Sequence, residues 1–170
     1  MRVCIASLLM VAAPAHAQAL RNHNADAPVD VEADRIEVQD RADRAVFTGN
    51  VKVRQGGLAL DAGRLTVAYA NGGSGVDIQR LDASGGVTVR SASETARGAF
   101  AIYDLNRRLI TMLGGVSLEQ GPNVVRGGRL VIDLQTGRST IDGGGSRAPG
   151  VAGGTGGRVT GRFNVPRRAQ

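Results

Sequence analysis

The sequence predicts an all-β fold, elongated and built from repeated antiparallel strand units, and three observations lead to this prediction. Apolar and polar residues alternate with a period of two along most of the chain, glycine-containing breaks separate the alternating runs, and pairs of runs recur at a nearly constant spacing. No segment after the first seventeen residues carries a sustained 3.6-residue apolar pattern with helix caps, so we expect little helix.

Residues 1–17 are expected to form a signal peptide rather than part of the fold. Arg2 precedes an apolar run, 3–13, that is too short to span a bilayer. Ala15-His16-Ala17 then offers the small-x-small pattern of a cleavage site after Ala17. Cleavage removes Cys4, the only cysteine, and leaves no thiol for a disulfide or a metal site. The alternative interpretation of this segment is an N-terminal membrane anchor.

The strands are predicted in order from the alternation, and short glycine breaks separate them. A strand with one apolar and one solvated face is typical of an antiparallel sheet. The apolar face must be covered, so the chain needs two facing sheets or one rolled sheet. The alternating runs are Val29-x-Val31, Val51-x-Val53, Leu58-x-Leu60, Leu65-x-Val67-x-Tyr69, Val87-x-Val89, Phe100-x-Ile102, Val116-x-Leu118 and Leu130-x-Ile132-x-Leu134.

Two short anchors form an internal repeat. The first anchor, Asp34-Arg35-Ile36-Glu37-Val38, recurs from Gly63, Gly98 and Gly128, at steps of 29, 35 and 30 residues. The second anchor occurs three times, and its valine lies 11 or 12 residues before the next first anchor. Because a single unit cannot bury its own apolar face, stacked units predict one elongated β structure with a continuous interior. The second anchors are Gly49-Asn50-Val51, Gly85-Gly86-Val87 and Gly114-Gly115-Val116.

The charge distribution argues against a nucleic-acid partner. All 15 acidic residues lie at or before Asp142; of the 21 basic residues, Arg2 precedes residue 18 and five arginines follow Gly143, which leaves 15 to balance the acids. The net charge of +6 is therefore concentrated in the tail, and the body has only 3% aromatic residues for base stacking. The tail arginines are either a phosphate- or membrane-binding element or a solubilising segment.

The composition changes after the β body. We predict a β domain over 18–142, a Gly-rich linker or insert over 143–157, a possible last strand over 158–166 and a basic disordered tail over 167–170. The strand character of 158–166 rests on Val159, Phe163 and Val165.

Several motifs resemble the OstA-like domain, and more closely the LptA family of periplasmic bridge proteins in lipopolysaccharide transport. Phe47-Thr48-Gly49-Asn50-Val51 and the following Gln55-Gly56 are the most specific of them, and Leu58-x-Leu60 and Ala62-x-x-Leu65-x-Val67 extend the likeness. Pro28-Val29-Asp30-Val31-Glu32 is similar to the family's first strand. Leu113-Gly114-Gly115-Val116 resembles a later segment, with Gly115 in place of an asparagine, and 158–166 is similar to the last strand. The Gly-rich segment 143–157 departs from the family pattern.

The resemblance implies a β-jelly roll that is open along one side. It also implies that copies of the chain join end to end with each other and with homologous domains of inner-membrane-anchored and outer-membrane partners. Lipid A acyl chains of lipopolysaccharide would travel through the shared interior in the periplasm. Such shelter matters because exposing one methylene to water costs ~0.8 kcal/mol, or roughly 9 kcal/mol for a chain of about a dozen carbons.

The candidate lipid-binding residues are the aliphatic and aromatic side chains expected to face this interior. The resemblance favours Val29 and Val31 most, and for each candidate the alternative is an ordinary core residue, because a closed sandwich needs the same pattern. Pro28 and Pro166 flank the two end strands, where they either limit pairing between subunits or simply end strands. The full set is Val29, Val31, Ile36, Val38, Phe47, Val51, Val53, Leu65, Val67, Val87, Val89, Phe100, Ile102, Val116, Leu118, Leu130 and Ile132.

No catalytic or cofactor site is predicted. His23 is the only histidine after the signal peptide, and it precedes the first strand, which disfavours a Ser-His-Asp arrangement. The sequence has no His/Cys cluster for a metal ion and no Gly-rich loop followed by a helix and lysine for phosphate. The leading hypothesis is therefore a non-enzymatic lipopolysaccharide carrier. The alternatives are a scaffolding β module that binds no lipid and the corresponding domain of a membrane-anchored partner.

Overall fold

The computed structural model describes residues 23–72, 75–143 and 157–164, and within them the chain is almost entirely antiparallel β structure. The one helical element in these ranges is a 3₁₀ turn at Asp40–Ala42, and no helix there is long and apolar enough to cross a membrane. The ten strands are β1 (Asp30–Glu32), β2 (Arg35–Gln39), β3 (Arg44–Gln55), β4 (Leu58–Gly72), β5 (Gly75–Arg90), β6 (Glu94–Asp104), β7 (Leu109–Gln120), β8 (Asn123–Asp133), β9 (Arg138–Asp142) and β10 (Thr160–Arg162).

The strands form one sheet in which β3 to β8 follow each other in chain order as antiparallel hairpins. Two short strands, β1 and β2, both pair with β3 at one end of the sheet, and β9 and β10 both pair with β8 at the other end. The two short strands pair with different halves of β3: β1 pairs with Lys52–Arg54, and β2 pairs with Arg44–Thr48. The two halves of β3, and likewise of β8, therefore have different edge partners.

A line of β-bulges separates the two halves of the strands. Register shifts occur at Gly49-Asn50, Ala62-Gly63, Gly85-Gly86, Gly98-Ala99 and Gly114-Gly115, so they fall at neighbouring positions in β3 to β7. Bulges bend the strand that carries them and increase its twist. The repeated bend folds the sheet into two facing layers, and residues from both halves meet in one core.

We name the layers by the turns they contain. Layer 1 holds β1, β10 and the strand halves that meet at turns 55–58, 90–94 and 120–123. Layer 2 holds β2, β9, the halves of β4 and β5 that meet at the pair Gly72 and Gly75, and the halves that meet at turns 104–109 and 133–138. The hydroxyl of Tyr103 in layer 2 donates a hydrogen bond to Gln55 in layer 1 at 2.8 Å, which fixes the two layers face to face.

The bulge line explains the sequence repeat. Gly85 and Gly114 of the second anchor both have φ +82°, a left-handed conformation that glycine adopts without strain. A Cβ on Gly114 would lie 2.7 Å from the Cβ of Ala99, and one on Gly85 would lie 3.2 Å from the Cα of Gly63. The two anchors thus lie on neighbouring strands at the same bend. The repeated antiparallel unit predicted from the sequence is confirmed.

The core lies between the layers in the middle of the sheet. Leu65, Ile110, Met112 and Leu130 are 0% exposed, and they belong to one continuous apolar cluster that spans β3 to β8. Directly paired residues of neighbouring strands share a face, so the row Leu65, Ala83, Ala101, Met112 and Leu130 points inward across layer 2. The middle of the molecule is therefore a packed interior.

One strand turns its predicted face outward. Phe100 is 53% exposed, and the buried residues of β6 are Ala101 and Tyr103, so Phe100 and Ile102 point away from the interior, contrary to the sequence-based expectation. The bulge at Gly98-Ala99 is the cause, because it shifts the inward alternation of the second half of β6 by one residue.

Some predicted segments lie outside the described residues. These are the signal peptide 1–17, most of the Gly-rich segment 143–157, Pro166 and the tail 167–170. The described chain resumes at Gly157, which packs directly against Gly143 at the end of β9. It continues into β10, which lies within the predicted strand segment 158–166 and pairs with Val124–Arg126 of β8.

Candidate functional site

An apolar cleft of about 610 Å³ opens at the end of the sheet that carries β1 and β2. Its volume falls within the range of ~300–1,000 Å³ that is usual for ligand sites. The cleft lies between β1 of layer 1 and strands β2 to β5 of layer 2. Its lining residues are Val29, Val31, Val38, Asp40, Ala45, Phe47, Val67, Tyr69, Asn71, Val76 and Ile78.

The cleft is open because the layers end in short strands. Ile36 and Val38 pair directly with Phe47 and Ala45, so all four side chains point between the layers. Nevertheless Ile36 and Val38 are 55% and 59% exposed, because β1 has only three residues and covers little of β2. A contiguous group of exposed apolar side chains at one end of a domain indicates a binding surface.

The crossing between β1 and β2 is hydrogen-bonded to the bulge of β3. The chain passes from layer 1 to layer 2 at Ala33 and Asp34, and the backbone N–H of Asp34 donates to the carbonyl of Gly49 at 2.9 Å. The side chain of Asn50 donates to Asp34 Oδ2 at 2.8 Å. These bonds tie the crossing to the first bulge, beside the closed edge of the cleft.

The structure places the predicted lipid-binding residues in different parts of the fold. Five of them line the cleft: Val29, Val31, Val38, Phe47 and Val67. Ile36 lies beside them on the same inward face, and Leu118 packs against the core. Phe100 and Ile102 lie on the outer face. The remaining eight are packed core residues, each at most 5% exposed: Val51, Val53, Leu65, Val87, Val89, Val116, Leu130 and Ile132.

Sequence reasoning missed four apolar lining residues, Ala45, Tyr69, Val76 and Ile78. The period-two apolar alternation could have identified three of them. Tyr69 continues the alternation of Leu65 and Val67, and Val76-x-Ile78 is the same period-two pattern at the start of β5. Ala45 is too small and common to be selected by pattern alone.

A buried polar group lies beside the cleft and was also missed. Gln55 is 3% exposed, and its side-chain amide donates to the carbonyls of Ala25 (2.8 Å) and Ala27 (3.1 Å). Its Oε1 accepts from the hydroxyl of Tyr103, and His23 Nε2 lies 3.3 Å from the same oxygen. Burial raises the pKa of Tyr103 to about 12, so this hydroxyl keeps its proton at neutral pH.

This polar group attaches the segment 23–28 across the gap between the layers. Asp26 forms an ion pair with Arg108 of the turn between β6 and β7, at 2.9 Å. The segment is therefore held by layer 1 through Gln55 and by layer 2 through Arg108. Burial, together with the nearby positive charge of Arg108, lowers the pKa of His23. The segment forms one wall of a second, more polar hollow of about 420 Å³ next to the apolar cleft.

The lining of the cleft suits the binding of an apolar ligand. In the described ranges, no three His, Cys, Asp or Glu side chains are grouped so that they could hold a metal ion. Asp61, Asp82 and Glu119 form ion pairs with arginines at the surface. The cleft offers an aliphatic and aromatic lining with a carboxylate at Asp40 and an amide at Asn71. Such a surface can shelter a hydrocarbon chain and leave a polar head near its rim.

The opposite end of the sheet also carries exposed apolar residues. Phe163 is 67% exposed and Val159 is 44% exposed, and both flank β10. Among the described residues, no strand pairs with β1, β2, β9 or β10 on the side that faces away from the sheet. Within the described ranges, both ends therefore present strand edges with hydrogen-bonding groups directed away from the sheet.

One protein family matches more than half of this chain. The family model described as LptA/(LptD N-terminal domain) LPS transport protein matches residues 30–138. An uncharacterized protein of Rhizobium meliloti (strain 1021) is 39% identical over 117 residues, which cover 63% of this chain and 62% of that protein. The chain therefore matches about three fifths of the length of this relative.

A solved structure has the same fold. It is the crystal structure of LptH, the LptA homologous periplasmic component of the lipopolysaccharide transport device of Pseudomonas aeruginosa. The match has a TM-score of 0.70 at 19% sequence identity and covers 84% of this chain and 99% of that one. The likeness confirms the predicted elongated, open β-jelly roll.

Proposed function

Because this chain belongs to the LptA and LptD N-terminal-domain family of lipopolysaccharide transport proteins, we propose that it is a periplasmic bridge component that binds lipopolysaccharide and carries it from the inner to the outer membrane. The family is one of transport proteins, and we assign no reaction to this chain. In the proposed bridge, copies join end to end with each other and with homologous domains of inner-membrane-anchored and outer-membrane partners.

The apolar cleft at the β1 and β2 end is the observation that carries the proposal. It is roughly 610 Å³ in volume, open to solvent, and lined chiefly by valine, isoleucine and aromatic side chains. An acyl chain of about a dozen carbons that left water for this surface would gain up to roughly 9 kcal/mol. We therefore assign the first acyl-chain site to Val29, Val31, Val38, Phe47 and Val67.

Passage beyond the cleft needs movement of the packed middle. Leu65 and Met112 have no exposed surface, so an acyl chain cannot lie between them in the described conformation. The bulge line joins the layers along one side, and hairpin turns border the other side. If the layers separated at the turns while the bulge line stayed closed, a path for the acyl chain would open between them. The eight buried residues among the predicted lipid-binding set could then contact the lipid one after another.

The same packed middle favours a second candidate function, a scaffolding β module that joins envelope proteins without holding lipid. Such a module would need a stable core and two free sheet ends, and it would have no need for an open apolar cleft. The two functions differ in whether lipid reaches the interior.

Photo-crosslinking in cells distinguishes the two functions. A photoreactive amino acid at Val31, which faces the cleft, should form an adduct with lipopolysaccharide. The same residue at Ile102, which lies on the outer face of the same domain, is the matched control and should form none. Adducts at position 31 alone support the carrier. Equal labelling at both positions, or no labelling at position 31, contradicts it.

Depletion of the protein tests the transport role. The bridge predicts that newly made lipopolysaccharide stays at the inner membrane when the protein is removed. Normal delivery to the outer membrane after depletion would contradict the bridge and favour the scaffolding module.

A further inference from the structure

The two ends of the sheet carry complementary charges at the same cross-strand rows, and this observation deepens the proposed end-to-end assembly, on which it rests. In layer 2 a continuous row of paired residues begins at Arg35 on β2 and ends at Asp142 on β9. In layer 1 a row begins at Asp30 on β1 and ends at Arg162 on β10. Each row therefore has a cation at one end and an anion at the other.

Strand direction allows the rows to continue into a second copy. Every pair of neighbouring strands in both layers is antiparallel, and each layer contains an even number of strands. Thus β9 runs opposite to β2, and β10 runs opposite to β1. A second copy translated along the sheet would place its β2 beside β9 and its β1 beside β10, both as new antiparallel pairs.

We propose that a second copy of this chain docks in the one register that keeps these rows continuous. Asp142 then lies beside Arg35 of the next copy in layer 2, and Arg162 lies beside Asp30 of the next copy in layer 1. All four side chains are exposed, and none of them has an ion-pair partner in the described part of the chain. Their charges are available for contacts between copies.

The opposite polarity of the two layers also fixes the rotation of the second copy. If the second copy were turned by half a rotation about the long axis, layer 1 would meet layer 2. Arg162 would then face Arg35 of the next copy, and Asp142 would face Asp30. Opposite charges directly across a strand pair stabilise it, whereas like charges destabilise it. The charges therefore select the alignment in which the interiors of both copies are continuous.

Apolar side chains in the same register complete the junction. The pairing places Ile141 beside Ile36 of the next copy, and both belong to inward-facing rows. It also places Phe163 beside Val29 of the next copy, at the rim of the apolar cleft. Phe163 and Ile36, both largely exposed in the single chain, would be covered by this contact.

Engineered disulfides test the register directly in the full-length secreted protein. After the predicted removal of Cys4, the variant I36C/I141C has its only cysteines at positions that the proposal brings into direct contact. It should form a ladder of covalent multimers under oxidation. In the control variant V38C/I141C the residues are diagonal neighbours about 7–8 Å apart, beyond the usual Cα separation for a disulfide. A ladder from this control instead would overturn the proposed register.

Charge reversal tests the role of the ion pairs. R35D or D142R alone should weaken self-association about fivefold or more, as measured by the concentration at which multimers dissociate. The double variant R35D/D142R reverses both members of the pair and should restore most of the lost association. The matched control R107D, on an exposed turn away from both ends, should change nothing. No loss in the single variants, or no recovery in the double variant, contradicts the proposal.

The disulfide test of the register can fail or succeed independently of the crosslinking test of the proposed function. A lipid adduct at position 31 with no ladder from I36C/I141C rejects the register and leaves the carrier intact. A ladder from I36C/I141C without a lipid adduct supports the register and rejects the carrier.

Discussion

The open end and the packed middle of this molecule are built from the same alternating aliphatic pattern, yet they differ in what covers the inward side chains. Val38 on β2 and Leu65 on β4 both point between the layers, but Val38 is 59% exposed and Leu65 has no exposed surface. In the middle, long strands lie on both sides and in the facing layer. At the end, β1 provides only three residues opposite β2. Openness is thus a consequence of strand length and position, not of residue type.

The largest expected effect comes from truncating a side chain in the packed middle. Leu65→Ala should lower the free energy of unfolding by about 2–5 kcal/mol, because it removes buried methyl groups and leaves a cavity. The matched change at the open end, Val38→Ala, should cost about 0.5 kcal/mol or less, because that side chain is mostly in water already. Urea unfolding of both variants measures the contrast.

Similar losses in the two variants would contradict the comparison. A large loss at Val38 would mean that the cleft is closed by contacts within the chain in solution. A small loss at Leu65 would mean that the middle is already loosely packed, and an acyl chain would then need little movement of the layers to pass.

The second prediction concerns the bulge line that joins the layers. Gly114→Ala should cost about 2–3 kcal/mol, because a Cβ at φ +82° is strained and would lie 2.7 Å from the Cβ of Ala99. Gly57→Ala is the control, since a Cβ there has no neighbour within 4 Å. Thermal unfolding of both variants tests the effect. Equal stability of the two would show that the bend does not depend on the glycine conformation.

The sequence predicted the strands and the repeat well because both depend on local rules. Alternation at Leu130 and Ile132 identifies the inward face of β8, Leu134 continues it just after the strand, and all three residues are buried. The paired glycines at 85–86 and 114–115 marked positions that repeat because β5 and β7 adopt the same left-handed backbone conformation at the bend. The family motif around Phe47 identified the fold as a whole.

The sequence could not predict features that depend on distant partners. The inward face of β6 was assigned to Phe100 and Ile102, because the pattern does not show that the bulge at 98–99 shifts the alternation. The cleft and the core could not be separated, because alternation is identical in both. Gln55 was noted only as part of the family motif, since its partners Tyr103 and Ala25 are 48 and 30 residues away in the chain.

The third prediction tests the polar link between the layers near the open end. Tyr103→Phe removes the hydrogen bond to Gln55 and should cost about 1–2 kcal/mol at neutral pH. The pKa of Tyr103 is raised from 10.0 to about 12, so the folded chain keeps a proton that the unfolded chain loses in this range. The contribution is complete below pH 10 and is lost as the pH rises through about 12.

The pH dependence is the decisive measurement for this link. The wild-type free energy of unfolding should fall from pH 10 to 12 more steeply than that of Tyr103→Phe. Parallel curves for the two proteins would contradict a buried, protonated hydroxyl at this position. If the variant also binds an acyl-chain probe more tightly, the link restrains the layers beside the cleft.

The smallest expected effect concerns the carboxyl of Glu94, which faces the interior near the turns of layer 1. Gln120 donates to its Oε1 at 3.2 Å, its Oε2 is buried without a partner, and burial raises its pKa.

The folded chain therefore binds a proton more tightly here than the unfolded chain does, and stability falls as the pH rises from 4.5, the ordinary pKa of this carboxyl, through the raised pKa. Glu94→Gln keeps the shape and removes the charge, so it should stabilise the fold at pH 7 by less than about 1 kcal/mol, since solvent screens this partly exposed group. The gain should shrink below pH 4.5 because the wild-type carboxyl is protonated there. A variant that is less stable at pH 7 would show that the charge is satisfied in the folded protein, and that the packed middle tolerates polar groups as the open end does.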